Sequence, residues 1–176
     1  MKKIFNALII LLIAIVLTSC DLSIVDELLD DSSQEQGEIT LIDDLQDVDY
    51  FRQGALAHIL EGELNGKGQA TGFHYDHLPT KKGEIIDGTE TPSDKNGVYE
   101  AQVKVEEVEK TSNRGFSTFF PDTWDTQDVV DAINEAYDTK EHLTGNTYEG
   151  LTDEGISVQM YLDQENKIIS AFPVYE

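Results

Sequence analysis

The sequence predicts an α+β domain, with N-terminal helices followed by mostly antiparallel sheet. Three observations lead there. Tyr99, Ala101, Val103 and Val105 alternate with Glu100, Gln102, Lys104 and Glu106, the period of a half-buried strand. Val129, Val130, Ile133, Ala136 and Tyr137 recur at helical spacing. Near the end, the runs Ile156-Val158-Met160 and Ile168-Ser170-Phe172 flank Asp163-Gln164-Glu165-Asn166, a segment with hairpin-turn composition.

The elements follow in chain order. Residues 1–19 read as a lipoprotein signal peptide. Lys2 and Lys3 precede an apolar run from Ile4 to Leu17, too short for a span but right for a signal core. Leu17-Thr18-Ser19-Cys20 resembles a bacterial lipobox, and Cys20 is the only cysteine. Lipidation there would tether the protein to the cell membrane by its lipid, with the domain facing outside the cytoplasm. The rival reading of this run is a transmembrane anchor. Residues 20–48 read as an acidic tether. Residues 21–49 hold 11 acids and no Lys or Arg, so self-repulsion favours an extended, solvated chain.

Residues 49–176 form the predicted domain. Tyr50 to Leu60 reads as a short helix or a helix-to-strand passage, weakened by Gly54. Gln69 to His74 is a short strand candidate. The alternating strand at Tyr99 comes next. The helix at Val129 has Asp125 or Thr126 as N-cap, with Pro121 just upstream. The two terminal strands and their hairpin turn close the chain.

Charge restricts the function classes. Twelve Lys and Arg stand against 35 Asp and Glu, a net of −23. Such a surface does not cling as a whole to nucleic acid or anionic lipid. The distribution is uneven. Lys67, Lys81 and Lys82 meet only Asp76 between Leu64 and Lys82, and Lys110 and Arg114 meet no acid before Pro121. The residues after 49 still hold 24 acids against ten cations. A locally basic groove on an acidic body suits a phosphate-reading site of modest, salt-sensitive affinity.

The four histidines are His58, His74, His77 and His142. Three lie within twenty residues, near Gly62, Gly66, Gly68 and Gly72. Histidine is the usual acid–base group at neutral pH. The residues alone leave three readings open. One is an acid–base pair for phosphodiester cleavage. Another is a metal site from His58, His74, Asp76 and His77. The last is loop histidines without a task.

Further segments carry a resemblance. His58-Ile-Leu-Glu-Gly-Glu63, then Gly72-Phe-His74, resembles the paired-histidine signature of the EndoU endoribonuclease family. Gly97 to Lys104, Phe116 to Trp124, Asn134 to Tyr137, Gly145 to Tyr148 and Ile168 to Tyr175 are similar to its bacterial branch. The resemblance implies a small EndoU-like fold related to the pancreatic-ribonuclease superfold. It implies an endoribonuclease of single-stranded RNA, with 2′,3′-cyclic phosphate and 5′-hydroxyl products. It makes His58 and His74 the catalytic pair, with acid and base unassigned. Uridine preference is a family expectation. No cofactor is required, although some members respond to manganese.

The family also supplies a lysine to stabilise the transition state, in several bacterial relatives just before the Phe-Pro motif. Here that stretch is Phe116-Ser117-Thr118-Phe119. The substitutes are His77, Lys81, Lys104, Lys110 and Arg114. Ser117, Thr118, Ser170, Phe172 and Tyr175 are the implied substrate-binding residues. The implied partners are RNA, the membrane through Cys20 and, for a toxin, a cognate immunity protein. Two rival classes stand beside this reading. The missing lysine suggests an inactive EndoU-like nucleotide-binding module. His74, Asp76 and His77 suggest a metal-binding lipoprotein.

Overall fold

Two four-stranded antiparallel sheets and a small two-stranded one make up the fold, in a computed structural model that describes residues 39–176. The expected signal peptide, Cys20 and most of the expected tether lie outside the described residues. Chain order gives α1 (Ala55–Leu60), β1 (Glu63–Leu64), β2 (Ala70–Thr71), β3 (Gly83–Ile85), β4 (Tyr99–Val105) and β5 (Val108–Glu109). Then come β6 (Phe116–Phe119), α2 (Thr126–Thr139), β7 (Glu141–Thr144), β8 (Thr147–Leu151), β9 (Ser157–Leu162) and β10 (Ile168–Pro173). The first sheet has the order β10-β9-β8-β7; the second joins β3-β4-β5, with β6 also on β4.

The predicted patterns explain the main elements. β4 buries Tyr99, Ala101, Val103 and Val105 and leaves the intervening residues half-exposed. α2 starts at Asp125, whose carboxylate accepts the N–H groups of Gln127 and Asp128, while Asp128 reaches back to the Asp125 N–H. This reciprocal cap satisfies donors the first turn cannot. Val129, Val130, Ile133 and Ala136 then face the first sheet and join Val158, Met160 and Ile168 in the larger core. A smaller core gathers Phe73, Phe119 and the inward residues of β4. The hairpin between β9 and β10 turns at Asp163, which accepts from Glu165 and Lys167 N–H groups.

Three expectations need correction. The first helix begins at Ala55, because Gly54 is left-handed at φ 83° and breaks the passage from Tyr50. The expected strand at Gln69 to His74 shrinks to Ala70–Thr71, since Gly72 and Phe73 adopt positive φ. The boundary expected at residue 49 also falls too late. Leu45 is buried, and Ile39, Ile42 and Val48 pack on the larger core. Their spacing of three gathers apolar side chains on one side, a pattern hidden by the surrounding acids. Gln46 and Gln127 exchange hydrogen bonds that fix the segment to α2.

Candidate active site

The paired-histidine segments meet through their backbones. Phe73 N–H donates to the His58 carbonyl at 3.1 Å, and His74 N–H to the Ile59 carbonyl at 2.7 Å. The approach is so close that a Cβ on Gly72 would lie 1.9 Å from the His58 carbonyl oxygen. Only glycine fits, and its φ of +73° suits glycine as well. Phe73 is left-handed at φ 65°, an uncommon state for a bulky residue. Its ring is fully buried in edge contact with Phe119, which holds the strained turn in place.

Each imidazole has a defined partner. His74 Nδ1 donates to the Thr118 carbonyl at 2.8 Å, leaving Nε2 as the free nitrogen of the neutral ring. Burial pushes the His74 pKa well below the usual histidine range, and the Lys110 charge adds to the effect. His58 Nδ1 lies 3.0 Å from the Glu63 carboxylate, and Nε2 lies 3.1 Å from Ser170 Oγ. Burial lowers the His58 pKa too, but Glu63 opposes that change. Glu63 therefore favours the protonated ring.

Lys110 supplies the positive charge. Its ammonium donates to Ser117 Oγ at 2.7 Å and to the Gly72 carbonyl at 3.4 Å. Ser117 in turn donates to the Gly72 carbonyl at 3.1 Å. Burial brings the Lys110 pKa down to about 8, so the group is mostly charged at neutral pH. His58, His74, Lys110 and Ser170 all line one open pocket of about 860 Å³. Phe172 stacks on His74 at 5.2 Å between ring centres and forms part of the same wall.

Comparison with known proteins identifies the lineage. The bacterial EndoU nuclease family profile matches residues 52–175. The chain belongs to the bacterial EndoU nuclease family. A protein named "Toxin" from Bacillus cereus is 50% identical over 133 residues, covering 76% of this chain. That stretch is 24% of the relative, so the chain spans about a quarter of its length. No solved structure matches the chain.

In this EndoU nuclease only one of the five substitutes for the missing lysine reaches the pocket with its ammonium. That residue is Lys110. Lys104 is held by Glu84 and Glu107, and Lys81 by Asp76. His77 faces Asp122 at 3.4 Å. Arg114 stands exposed on a loop whose Ser112 and Asn113 line the pocket. Lys82 faces Glu61, so the expected basic groove narrows to the Lys110 side.

The expected substrate residues separate into layers. Thr118, Ser170, Phe172 and Tyr175 line the pocket. Ser117 also borders it, but is buried beneath Lys110 with its hydroxyl engaged. Its geometry is that of a support for the lysine. Thr118 Oγ1 has no hydrogen-bond partner among the described residues. The Tyr175 hydroxyl is bound to the Pro92 carbonyl at 2.9 Å, which fixes the ring. The proposed metal trio does not converge: His74 holds Thr118, Asp76 holds Lys81 and His77 faces Asp122. Among the described residues no cluster of three such side chains can hold a metal ion.

Sequence reasoning missed Glu63 as a partner of His58, although it ends the first histidine segment. It also missed Gln159 and Tyr161, which line the pocket from β9. Their signal is the alternation of β9, which sets them opposite Phe172 and Ser170 in register.

Proposed function

We propose that this EndoU nuclease is an endoribonuclease cleaving single-stranded RNA by attack of a ribose 2′-hydroxyl. The observation that carries the reading is the convergence of two differently tuned histidines and a charged lysine on one pocket. His74 Nε2 takes the 2′-hydroxyl proton, because its neutral ring keeps that lone pair free. The 2′-oxygen then bonds to the adjacent phosphorus. As the bond from phosphorus to the 5′-oxygen breaks, His58 Nε2–H delivers a proton to that oxygen. The products are a 2′,3′-cyclic phosphate and a 5′-hydroxyl. Lys110 stabilises charge on the non-bridging oxygens, where a fixed donor in a dry site has its largest effect. Glu63 favours the proton-bearing form of His58 against its burial, and Ser170 holds its ring.

Phe172 offers an apolar face for a base. Uridine is the base that the family resemblance suggests for this position. The relative's name supports use as a toxin, and the lipobox supports tethering outside the cytoplasm through Cys20. A toxin of this kind requires an immunity partner in its producer. The test is cleavage of labelled single-stranded RNA by the full-length protein and by His58→Ala and His74→Ala. The wild type should yield cyclic-phosphate ends, and both variants should lose at least about 10²-fold in rate. Equal cleavage by all three proteins rules the mechanism out.

A further inference from the structure

All but three of the described lysines and arginines hold a carboxylate, hydroxyl or carbonyl. Among the described residues, the side chains of Arg52, Lys67 and Arg114 have no such partner. Free cations are notable on a domain with 24 acids after residue 49. Both arginines are exposed, and each adjoins the pocket wall through the chain: Arg114 follows the lining residue Asn113, and the Arg52 backbone is bonded to Ile168, which precedes the lining residue Ile169.

Arg52 is fixed between two parts of the site. Its carbonyl accepts the Ala55 N–H at 2.9 Å, at the start of the helix carrying His58. Its own N–H donates to the Ile168 carbonyl at 2.9 Å, two residues before Ser170. The charge of Arg52 is felt at His58, where it opposes protonation. Arg114 stands on a different wall. Asn113, Arg114 and Gly115 are successively left-handed at φ 48°, 57° and 94°. Gln102 Nε2 donates to the Arg114 carbonyl at 3.3 Å and fastens this bend to β4. The bend carries Asn113 on the pocket lining.

The guanidinium fork matches phosphate oxygens two at a time and remains charged at any working pH. The pocket volume of about 860 Å³ also lies near the top of the range of about 300–1,000 Å³ typical of single small ligands. We propose that Arg52 and Arg114 bind the phosphates flanking the one that is cleaved, so that the site takes a run of single-stranded RNA rather than a dinucleotide. Acids elsewhere on the surface repel the remaining backbone, so these contacts also select where a long strand can settle. The inference rests on the nuclease reading for the central phosphate, and binding is measured separately from cleavage for that reason.

The test compares full-length protein with the Arg52→Ala/Arg114→Ala double variant. Fluorescence anisotropy follows binding of a labelled 2′-O-methyl uridine hexanucleotide, which lacks the attacking hydroxyl, and of the matching dinucleotide. Salt is varied from about 50 to 200 mM. The double variant should bind the hexamer roughly 5- to 30-fold more weakly and the dinucleotide as wild type does. Its log–log salt slope for the hexamer should be shallower by about 1.4, or 0.7 per arginine. In cleavage of ordinary RNA, KM for the hexamer should rise while KM for the dinucleotide stays unchanged. Lys140→Ala removes a cation at the end of α2 and should alter none of these values. Equal hexamer affinity and equal salt slope in wild type and double variant overturn the inference and leave the nuclease reading standing. A wild type that cuts no RNA but shows the slope difference overturns the nuclease reading and keeps the phosphate sites.

Discussion

Gly72→Ala tests whether the backbone contact between the two histidine segments sets the catalytic geometry. The new Cβ would start 1.9 Å from the His58 carbonyl oxygen and 2.9 Å from its carbon. Real contacts of this kind do not fall below 3.0 Å, so the two segments must part by about 1.1 Å or more. The obstacle is backbone and cannot rotate aside. Parting also stretches the bond from Phe73 N–H to the same oxygen. A misplacement near 1 Å can cost about 10²-fold in rate, so activity on RNA should fall at least that far. The left-handed φ adds a cost of roughly 1–2 kcal/mol to folding. Thermal unfolding should therefore drop by roughly 3–10 °C. Gly68→Ala is the matched control, because it shares the left-handed φ, at +72°, and nothing lies within 4 Å of its Cβ position. A quenched-fluorophore RNA assay and a melting curve read both effects. If Gly72→Ala cuts RNA within threefold of wild type at an unchanged melting temperature, the geometric argument fails.

Other expectations concern charge and capping. Lys110→Met should lower kcat by about 10²–10³ with little change in folding, as for loss of one transition-state donor. Because the Lys110 pKa is about 8, wild-type activity should decline as pH rises through that value, whereas Lys110→Arg should keep its charge and lose less at high pH. Glu63→Gln should move the alkaline limb of kcat/KM to lower pH, because the carboxylate holds the proton on His58. The acidic limb, set by His74, should stay; movement of the acidic limb alone would reverse the assigned roles. Asp125→Ala should destabilise the domain by about 1 kcal/mol through loss of the α2 cap, measured by denaturant unfolding.

Strong periodicity explains what could be read directly. β4 and α2 each bury one regular face, so their patterns survive in the sequence. The β9–β10 hairpin is marked by its turn residues. β7 escapes because Glu141, His142, Leu143 and Thr144 are all exposed and show no alternation. β1, β2 and β5 have two residues each, too few for any period. The packing of Leu45 was masked by Asp43, Asp44 and Asp47, because net charge reports a segment's average rather than its faces.

The site shows the same division. His58, Gly72 and His74 stand out because each imposes a local requirement. Lys110 does not, since its place in the pocket is set by contacts with Ser117 and with the Gly72 carbonyl, 38 positions away. Nothing in its immediate neighbours distinguishes it from Lys104, which the alternation of β4 carries to an ion-paired surface.

The bond between His58 and Ser170 joins positions 112 residues apart. Ser170 lies on the last strand, and that strand is anchored to β9 and to the backbone of Tyr50 and Arg52. During synthesis the histidines emerge well before the residues that complete their surroundings. A cell translating this chain thus carries an unfinished blade until β10 has been made. A premature stop that removes only β10 would yield a protein with both histidines intact and no assembled cutting edge.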